Sequence, residues 1–351
     1  MTTPGPREAS SAALLEIEGL RVTLPVKGES RTVLHHVDLT VPAGTSVGLV
    51  GESGSGKSLT ARAVLRLLPA GARLSGDIRY DGVSVPAMDP TALRRMRSRE
   101  AAMVFQDPRA HINPVRTIGD FLTEGLTTTR GVRRKDAEES AAALLRDVGI
   151  ADASRRLRQR PSELSGGLLQ RVMIASALAT EPRLLLADEP TTALDVTTQS
   201  EVMAIIEENR VRRGLAMLFI THDLALAAAV CDRIAVMYAG TVVEELPAVE
   251  LHGGARHPYT RALLASRPDP GARDGELRAV KGRPLSAFEA GPGCPFAPRC
   301  AFAQEVCRTD RPPHRPVGDS ITACHFPLGE TVPTRKSGTE MVTESRQEDH
   351  A

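Results

Sequence analysis

No stretch of this chain approaches the ~20 consecutive apolar residues that a membrane-spanning helix needs. The longest apolar runs are of the order of Leu215-Ala216-Met217-Leu218-Phe219-Ile220, so the chain is not expected to cross a bilayer by itself. The first ten residues hold two prolines and lack a basic region followed by an apolar stretch, so no signal peptide is expected and the chain should stay in the cytoplasm. An excess of one charge is missing as well. With 44 Lys and Arg against 43 Asp and Glu, the net charge is +1, which gives no broad electrostatic surface for nucleic acid. Cysteine is sparse at five residues, and in a reducing compartment these suit metal ligands or core fillers better than disulfides. No internal repeat of fixed period occurs. What remains is 351 residues, 41% hydrophobic and 25% charged, a composition that excludes collagen, coiled coil and wholly disordered chains and suits about two globular domains.

Residues 1–13 and 329–351 are rich in Ser, Thr, Glu, Pro and Gly with few large apolar residues, so both are expected to be disordered tails. The alternation in Leu15-Glu16-Ile17-Glu18 and Arg21-Val22-Thr23-Leu24, a Lys27-Gly28-Glu29-Ser30 turn and residues 32–39 read as an antiparallel hairpin. An apolar strand at 46–50 leads into a glycine-rich turn and a helix, and further strands are predicted at 183–187, 216–220 and 233–238. That alternation of strand and helix predicts an α/β fold built on a largely parallel sheet. Residues 107–180 read instead as a helical insert, where Ala141, Leu144, Leu145 and Val148 follow helical spacing and Gly149 supplies a stop. After Pro258 prolines and four of the five cysteines accumulate, so a boundary is expected near 252–257. The expected organisation is a core at 14–255 and a small cysteine-containing extension at 256–328.

Gly51-Glu52-Ser53-Gly54-Ser55-Gly56-Lys57-Ser58 fits G-x-x-x-x-G-K-[ST], directly after a predicted strand and before helical residues 59–68. Its glycines let backbone N–H groups turn inward around phosphate oxygens, Lys57 reaches the β- and γ-phosphates, and Ser58 can ligate Mg²⁺. Leu184-Leu185-Leu186-Ala187-Asp188-Glu189 is a buried-strand pattern ending in two carboxylates, which would emerge in the crevice where parallel sheets bind ligands. Asp188 is placed to hold the Mg²⁺ hydration shell and Glu189 to accept a proton from an attacking water.

Together with Leu164-Ser165-Gly166-Gly167, these pieces resemble an ATP-binding cassette (ABC) transporter ATPase. Gln106 in Val104-Phe105-Gln106-Asp107-Pro108, Ala193-Leu194-Asp195 and His222 in Ile220-Thr221-His222-Asp223 match further family motifs in the family's order, over residues 14–246. The resemblance implies ATP and Mg²⁺ as ligands, with Ser58, Gln106 and Asp188 about the metal and Glu189 and His222 catalytic. It also implies that Ser165, Gly166 and Gly167 close over ATP held by the phosphate loop of a second subunit. Ser165 opening a helix is itself an anion-binding feature that one cassette's own ATP cannot easily share with the phosphate loop. Two departures stand out: Leu168 and Leu169 follow the signature where a polar residue is usual, and Leu24 occupies the place of an adenine-stacking aromatic. Leu24 can cover a base but cannot stack on it.

His257-Pro258-Tyr259-Thr260-Arg261-Ala262-Leu263-Leu264, Lys281-Gly282-Arg283-Pro284 and Cys294-Pro295-Phe296-Ala297-Pro298-Arg299-Cys300 are similar to the C-terminal extension of oligopeptide, dipeptide and nickel importer ATPases. This implies an energising ATPase on the cytoplasmic face of two membrane permease subunits, paired with a second, homologous ATPase and served by an extracytoplasmic substrate-binding protein. A nickel or other small-solute importer, and a soluble ABC ATPase without a permease, are the alternatives. Cys294, Cys300, Cys307 and Cys324 form C-x5-C-x6-C-x16-C, without the close knuckles of structural zinc sites. A [4Fe–4S] cluster is expected there, as in related peptide-importer ATPases, with Zn²⁺ as the alternative. Cys231 reads as a buried small apolar residue.

Overall fold

The structure, a computed structural model, describes residues 13–192, 194–266 and 280–329. The expected tails fall almost wholly outside the described residues, as do Ala193, Pro268 and Pro270. Strands β1 (Ala13–Val26) and β2 (Glu29–Pro42) form the N-terminal antiparallel hairpin. Its turn is tighter than the sequence suggests. Lys27 and Gly28 both take positive φ, 51° and 86°, the two-residue geometry whose twist matches that of the strands, so pairing resumes at Glu29. β4 (Arg73–Tyr80) joins β1 antiparallel and β5 (Val83–Ser84) closes that edge.

The parallel part is built from β3 (Ser46–Val50), β6 (Ala101–Val104), β7 (Leu184–Asp188), β8 (Ala216–Thr221) and β9 (Arg233–Tyr238). β3 lies between β8 and β9, and β7 between β8 and β6. β10 (Thr241–Pro247) turns back antiparallel to β9 and meets β2 at Thr241 and His36. The resulting order is β5-β4-β1-β2-β10-β9-β3-β8-β7-β6. Being buried on both faces, the central strands are apolar runs rather than alternating, with Ser46, Asp188 and Thr221 at their ends. Leu184, Leu186, Leu218 and Ile220 face one core with the hairpin strands, while Leu185, Ala187, Met217 and Phe219 face a second core with the helices of the insert.

Those helices include Ile118–Thr129, Arg134–Asp147 and Gly166–Leu178. Thr117 and Asp120 cap the first reciprocally, and the second ends where Gly149 takes φ 69°. The C-terminal extension shares a third core with the sheet. Its strand Ser320–Thr322, β12, pairs with β10 and, on its other side, with the short β11 (Arg315–Val317). The rings of Tyr238, Tyr259 and Phe296 meet in that core at centroid distances of 4.6, 5.4 and 5.2 Å. Among the described residues no helix is long and apolar enough to cross a membrane.

Candidate functional site

Between the end of β3 at Val50 and the helix Lys57–Val64, the chain wraps into a tight loop. Close packing dictates its glycines: a Cβ at Gly51 would lie 2.1 Å from the Met237 carbonyl oxygen, and Gly56 sits at φ 107°, where L side chains are strained. Lys57 is only 4% exposed and donates to the carbonyls of Gly51 and Glu52 at 2.8 and 3.1 Å. Burial lowers its pKa, and the carboxylates of Glu189 and Asp188 act against that shift. Lys57 Nζ is thus held inside the loop, with a Glu189 carboxylate oxygen at 3.8 Å.

Asp188 ends β7 fully buried and accepts a 2.6 Å hydrogen bond from Ser58 Oγ through one oxygen. Its other oxygen, Oδ2, is buried with no partner among the described residues. Burial raises its pKa against the hydrogen bond from Ser58. An orphaned buried carboxylate oxygen beside a serine hydroxyl is the donor set a hydrated Mg²⁺ uses, so the residues fit that ion. Glu189 follows at φ 44°, tied to β8 by its N–H to the Ile220 carbonyl at 3.0 Å. Its carboxylate accepts from Gln106 Nε2 at 3.1 Å and from Thr192 Oγ1 at 2.8 Å, and His222 Nδ1 stands 3.5 Å away. Gln106, expected beside the metal, therefore touches the carboxylate in this structure. The phosphate loop, Gln106, Glu189 and His222 line one cavity of about 750 Å³ at the C-terminal ends of β3, β6, β7 and β8.

Ser165, Gly166 and Gly167 lie elsewhere, in a separate cavity shared with Arg171, Asp195 and the departing residue Leu168. Ser165 caps the helix Gly166–Leu178 by accepting from the Leu168 N–H at 3.4 Å. Asp195 caps the helix Val196–Arg213 in the same way from Thr198, 3.0 Å away. The two cavities have no lining residue in common. Leu24 is not among the residues lining the phosphate-loop cavity and packs, half-buried, against the hydrophobic core.

Sequence reasoning missed the grip of the extension on the phosphate loop. Arg299, 4% exposed, makes a two-pronged ion pair with Glu52 at 2.7 and 3.2 Å and also donates to Tyr238 Oη and to the Lys281 and Val280 carbonyls. Burial opposes its charge, yet the bonds to Glu52 and Tyr238 outweigh that cost and hold its pKa above the ordinary value. Tyr259 Oη accepts from the Glu52 N–H at 3.2 Å.

Cys294, Cys300, Cys307 and Cys324 line one small pocket walled by Phe296, Phe302 and Phe326, with room for about 10 Å³. Burial raises the Cys324 thiol to about 12 and Cys294 to about 11, against the backbone N–H groups of Phe326 and Phe296 and with a further push from the neighbouring cysteines. His257 lines the same pocket; its Nδ1 accepts from the Tyr259 N–H, and its buried Nε2 has no partner among the described residues. Among the described residues no three His, Cys, Asp or Glu side chains form a group that could hold a metal ion. The expected zinc or iron–sulfur ligands thus converge without forming a ready-made ion site. Cys231 is 7% exposed and packs in the helical core, its thiol pKa raised by burial.

Comparison with known proteins places these features in context. Residues 34–192 match the family described as ABC transporter, and residues 243–307 match the oligopeptide/dipeptide transporter C-terminal region. A putative peptide import ATP-binding protein of Brucella abortus is 44% identical over 87% of this chain and 94% of its own length. The oligopeptide transport ATP-binding protein OppD of Salmonella typhimurium is 37% identical, over 94% of this chain and 98% of its own. The dipeptide transport ATP-binding protein DppD of Haemophilus influenzae is 38% identical over 91% and 97%. A solved dimeric ATP-binding cassette in a post-hydrolysis state, bound to ADP and Pi, superposes with a TM-score of 0.60 at 28% identity, covering 67% of this chain and 98% of that one.

Proposed function

The chain belongs to the ABC transporter ATP-binding family, in the branch that carries the oligopeptide/dipeptide C-terminal region, and from that premise we infer that it is the ATP-hydrolysing subunit of a peptide importer. The observation that carries the catalytic reading is the convergence of Lys57, Gln106, Thr192 and His222 on Glu189, beside the Ser58–Asp188 pair. Mg²⁺, when bound with the nucleotide, neutralises charge developing on the phosphates. Lys57 exchanges the loop carbonyls for phosphate oxygens. Asp188 and Ser58 would hold that ion. Glu189 orients the attacking water and takes its proton, while His222 fixes the carboxylate and faces the terminal phosphate. Gln106 senses that phosphate through the same carboxylate and leads into the helical insert. Glu189→Gln should bind MgATP and lose hydrolysis by roughly 10²–10⁴-fold, the usual worth of a positioned base. Wild-type turnover by that variant in an assembled transporter would remove Glu189 from the mechanism.

The separation of Ser165–Gly167 from the phosphate loop supports a head-to-tail pair with a second, homologous ATPase, each signature completing the other's site. Peptide import further calls for two permease subunits, an extracytoplasmic binding protein and a seat on the cytoplasmic face of the membrane. The finer reading of the extension, residues 256–328, is a structural domain pinned by a [4Fe–4S] cluster on Cys294, Cys300, Cys307 and Cys324. Four thiols around one apolar pocket and the unpartnered His257 Nε2, a donor toward sulfur, support it.

A further inference from the structure

Leu24 leaves the nucleotide without an aromatic from the first strand, yet the nucleotide cavity has an aromatic wall. Phe288, from the single helical turn Ala287–Glu289 of the C-terminal extension, lines it together with Val33, Leu263 and the phosphate loop. Strand order fixes which end of the nucleotide meets this wall. The groups that act on the terminal phosphate, Gln106, Glu189 and His222, follow β6, β7 and β8, on one side of β3. Val33 belongs to β2, three strands to the other side of β3, and the Ala287–Glu289 turn is bonded to β2, because the Ala287 carbonyl pairs with His35 Nε2 at 2.7 Å. A triphosphate threaded through the loop with its terminal phosphate at Glu189 therefore directs its base toward Val33 and Phe288.

The turn is built to hold its place. Ser286 and Glu289 cap it reciprocally, Arg283 grips Glu289 at 2.8 Å, the Leu285 N–H donates to Tyr238 Oη at 3.0 Å, and Ala287 is 1% exposed. Phe288 is the exception in this anchored turn. At 38% exposed it is a large ring facing the cavity with no ring partner among the described residues, a position that leaves apolar surface in water until something flat covers it.

Resting on the ATPase reading above, we propose that Phe288 is the base-binding aromatic of this ATP site, so that the C-terminal extension supplies the adenine contact that Leu24 does not. The extension is then part of the nucleotide site as well as an appendage to it. Base–aromatic contacts of this kind are worth roughly 5- to 150-fold in affinity when the ring is truncated. Phe288→Ala should weaken MgATP binding by that factor while binding of inorganic tripolyphosphate, which has no base, stays unchanged. The chain contains no tryptophan, so Phe288→Trp places a single reporter in the full-length protein. Its fluorescence should respond to MgATP and MgADP and stay silent to magnesium tripolyphosphate. Equal MgATP affinity in wild type and Phe288→Ala, a parallel loss of tripolyphosphate binding, or indole fluorescence in Phe288→Trp that is indifferent to saturating MgATP would each overturn the proposal. Failure of the wild-type chain to bind MgATP at all would overturn the nucleotide reading, and this contact with it.

Discussion

Removing the Arg299 guanidinium should loosen the phosphate loop from behind. Arg299 and Glu52 are 247 residues apart in sequence, and the pair carries two short charge-assisted bonds while Arg299 also satisfies Tyr238 and two backbone carbonyls. Its guanidinium stacks against the rings of Tyr238 and Phe296, 5.7 and 5.8 Å from their centroids. Breaking a fully buried pair by deleting one partner costs about 3–5 kcal/mol. Here the Glu52 side chain keeps 24% of its exposure, so water can partly replace the lost bonds and about 2–4 kcal/mol is expected for Arg299→Ala. Lysine restores the charge without the two-pronged grip, so Arg299→Lys should fall between. The functional effect is smaller because Lys57 and the loop glycines stay in place. Loss of the clamp leaves Glu52, whose carbonyl holds Lys57 Nζ at 3.1 Å, to be ordered by the nucleotide. That ordering costs about 1 kcal/mol, roughly a fivefold rise in Kd for MgATP. Denaturant unfolding of wild type, Arg299→Ala, Glu52→Gln and the double variant gives the coupling, and calorimetric titration gives the Kd. A coupling energy below about 0.5 kcal/mol, or Arg299→Ala with wild-type stability, would refute the clamp.

The places of residues 51–58, Asp188, Glu189, Ser165 and His222 at strand ends and helix starts were legible in the sequence because each sits in a contiguous run whose pattern marks where the element ends. A loop that turns N–H groups inward needs its glycines at fixed spacing, and a buried strand that ends in acid has one place to go. The pair Arg299–Glu52 left no such trace. Each residue alone is an ordinary surface charge, and only the docking of β12 on β10 and of Phe296 against Tyr238 and Tyr259 brings them together. Phe288 was hidden for the same reason. In sequence it is a lone aromatic in a proline-rich stretch, and its relation to Val33 depends on a hydrogen bond across 252 positions. β10 and β12 escaped notice because short strands whose partners are remote lack a distinctive period, while β6 is four apolar residues long. The cysteine spacing told that four thiols could gather, and they do line one pocket, yet spacing cannot fix their geometry, and among the described residues they form no group that could hold a metal ion.

Three further outcomes can be checked. Anaerobically purified protein should be brown, absorb near ~400 nm and hold about four irons, and Cys300→Ser should bleach it and expose the region after Pro258 to protease; a colourless protein with one zinc would hand the thiols to zinc. The purified single chain should hydrolyse ATP slowly and speed up with its permease and partner ATPase, and crosslinkers placed within residues 106–123 should capture a membrane subunit; fast turnover by a proven monomer would end the split-site reading. The last outcome concerns Glu244, a fully buried residue of β10 that ties the extension to the sheet. Its Oε1 accepts from the N–H groups of Arg256 and His257 at 2.5 and 3.1 Å and from Thr322 Oγ1 at 3.2 Å, whereas Oε2 has no partner among the described residues. Burial raises its pKa despite the nearby Thr260 hydroxyl and these bonds, all of which act the other way. The folded chain therefore holds this proton more tightly than the unfolded chain does. Stability linked to Glu244 is fully present below the unfolded value of 4.5 and is lost as pH rises through the folded value above it. Glutamine keeps an acceptor for the three donors at Oε1 and offers its NH₂ where the proton stood, without a charge to bury. Glu244→Gln should accordingly gain stability relative to wild type as pH is raised from 4.5 toward neutrality, and show no advantage below it. Denaturant midpoints across that range read the difference directly, and a variant that loses ground as pH rises would show that the buried group is a paired carboxylate whose charge the fold favours.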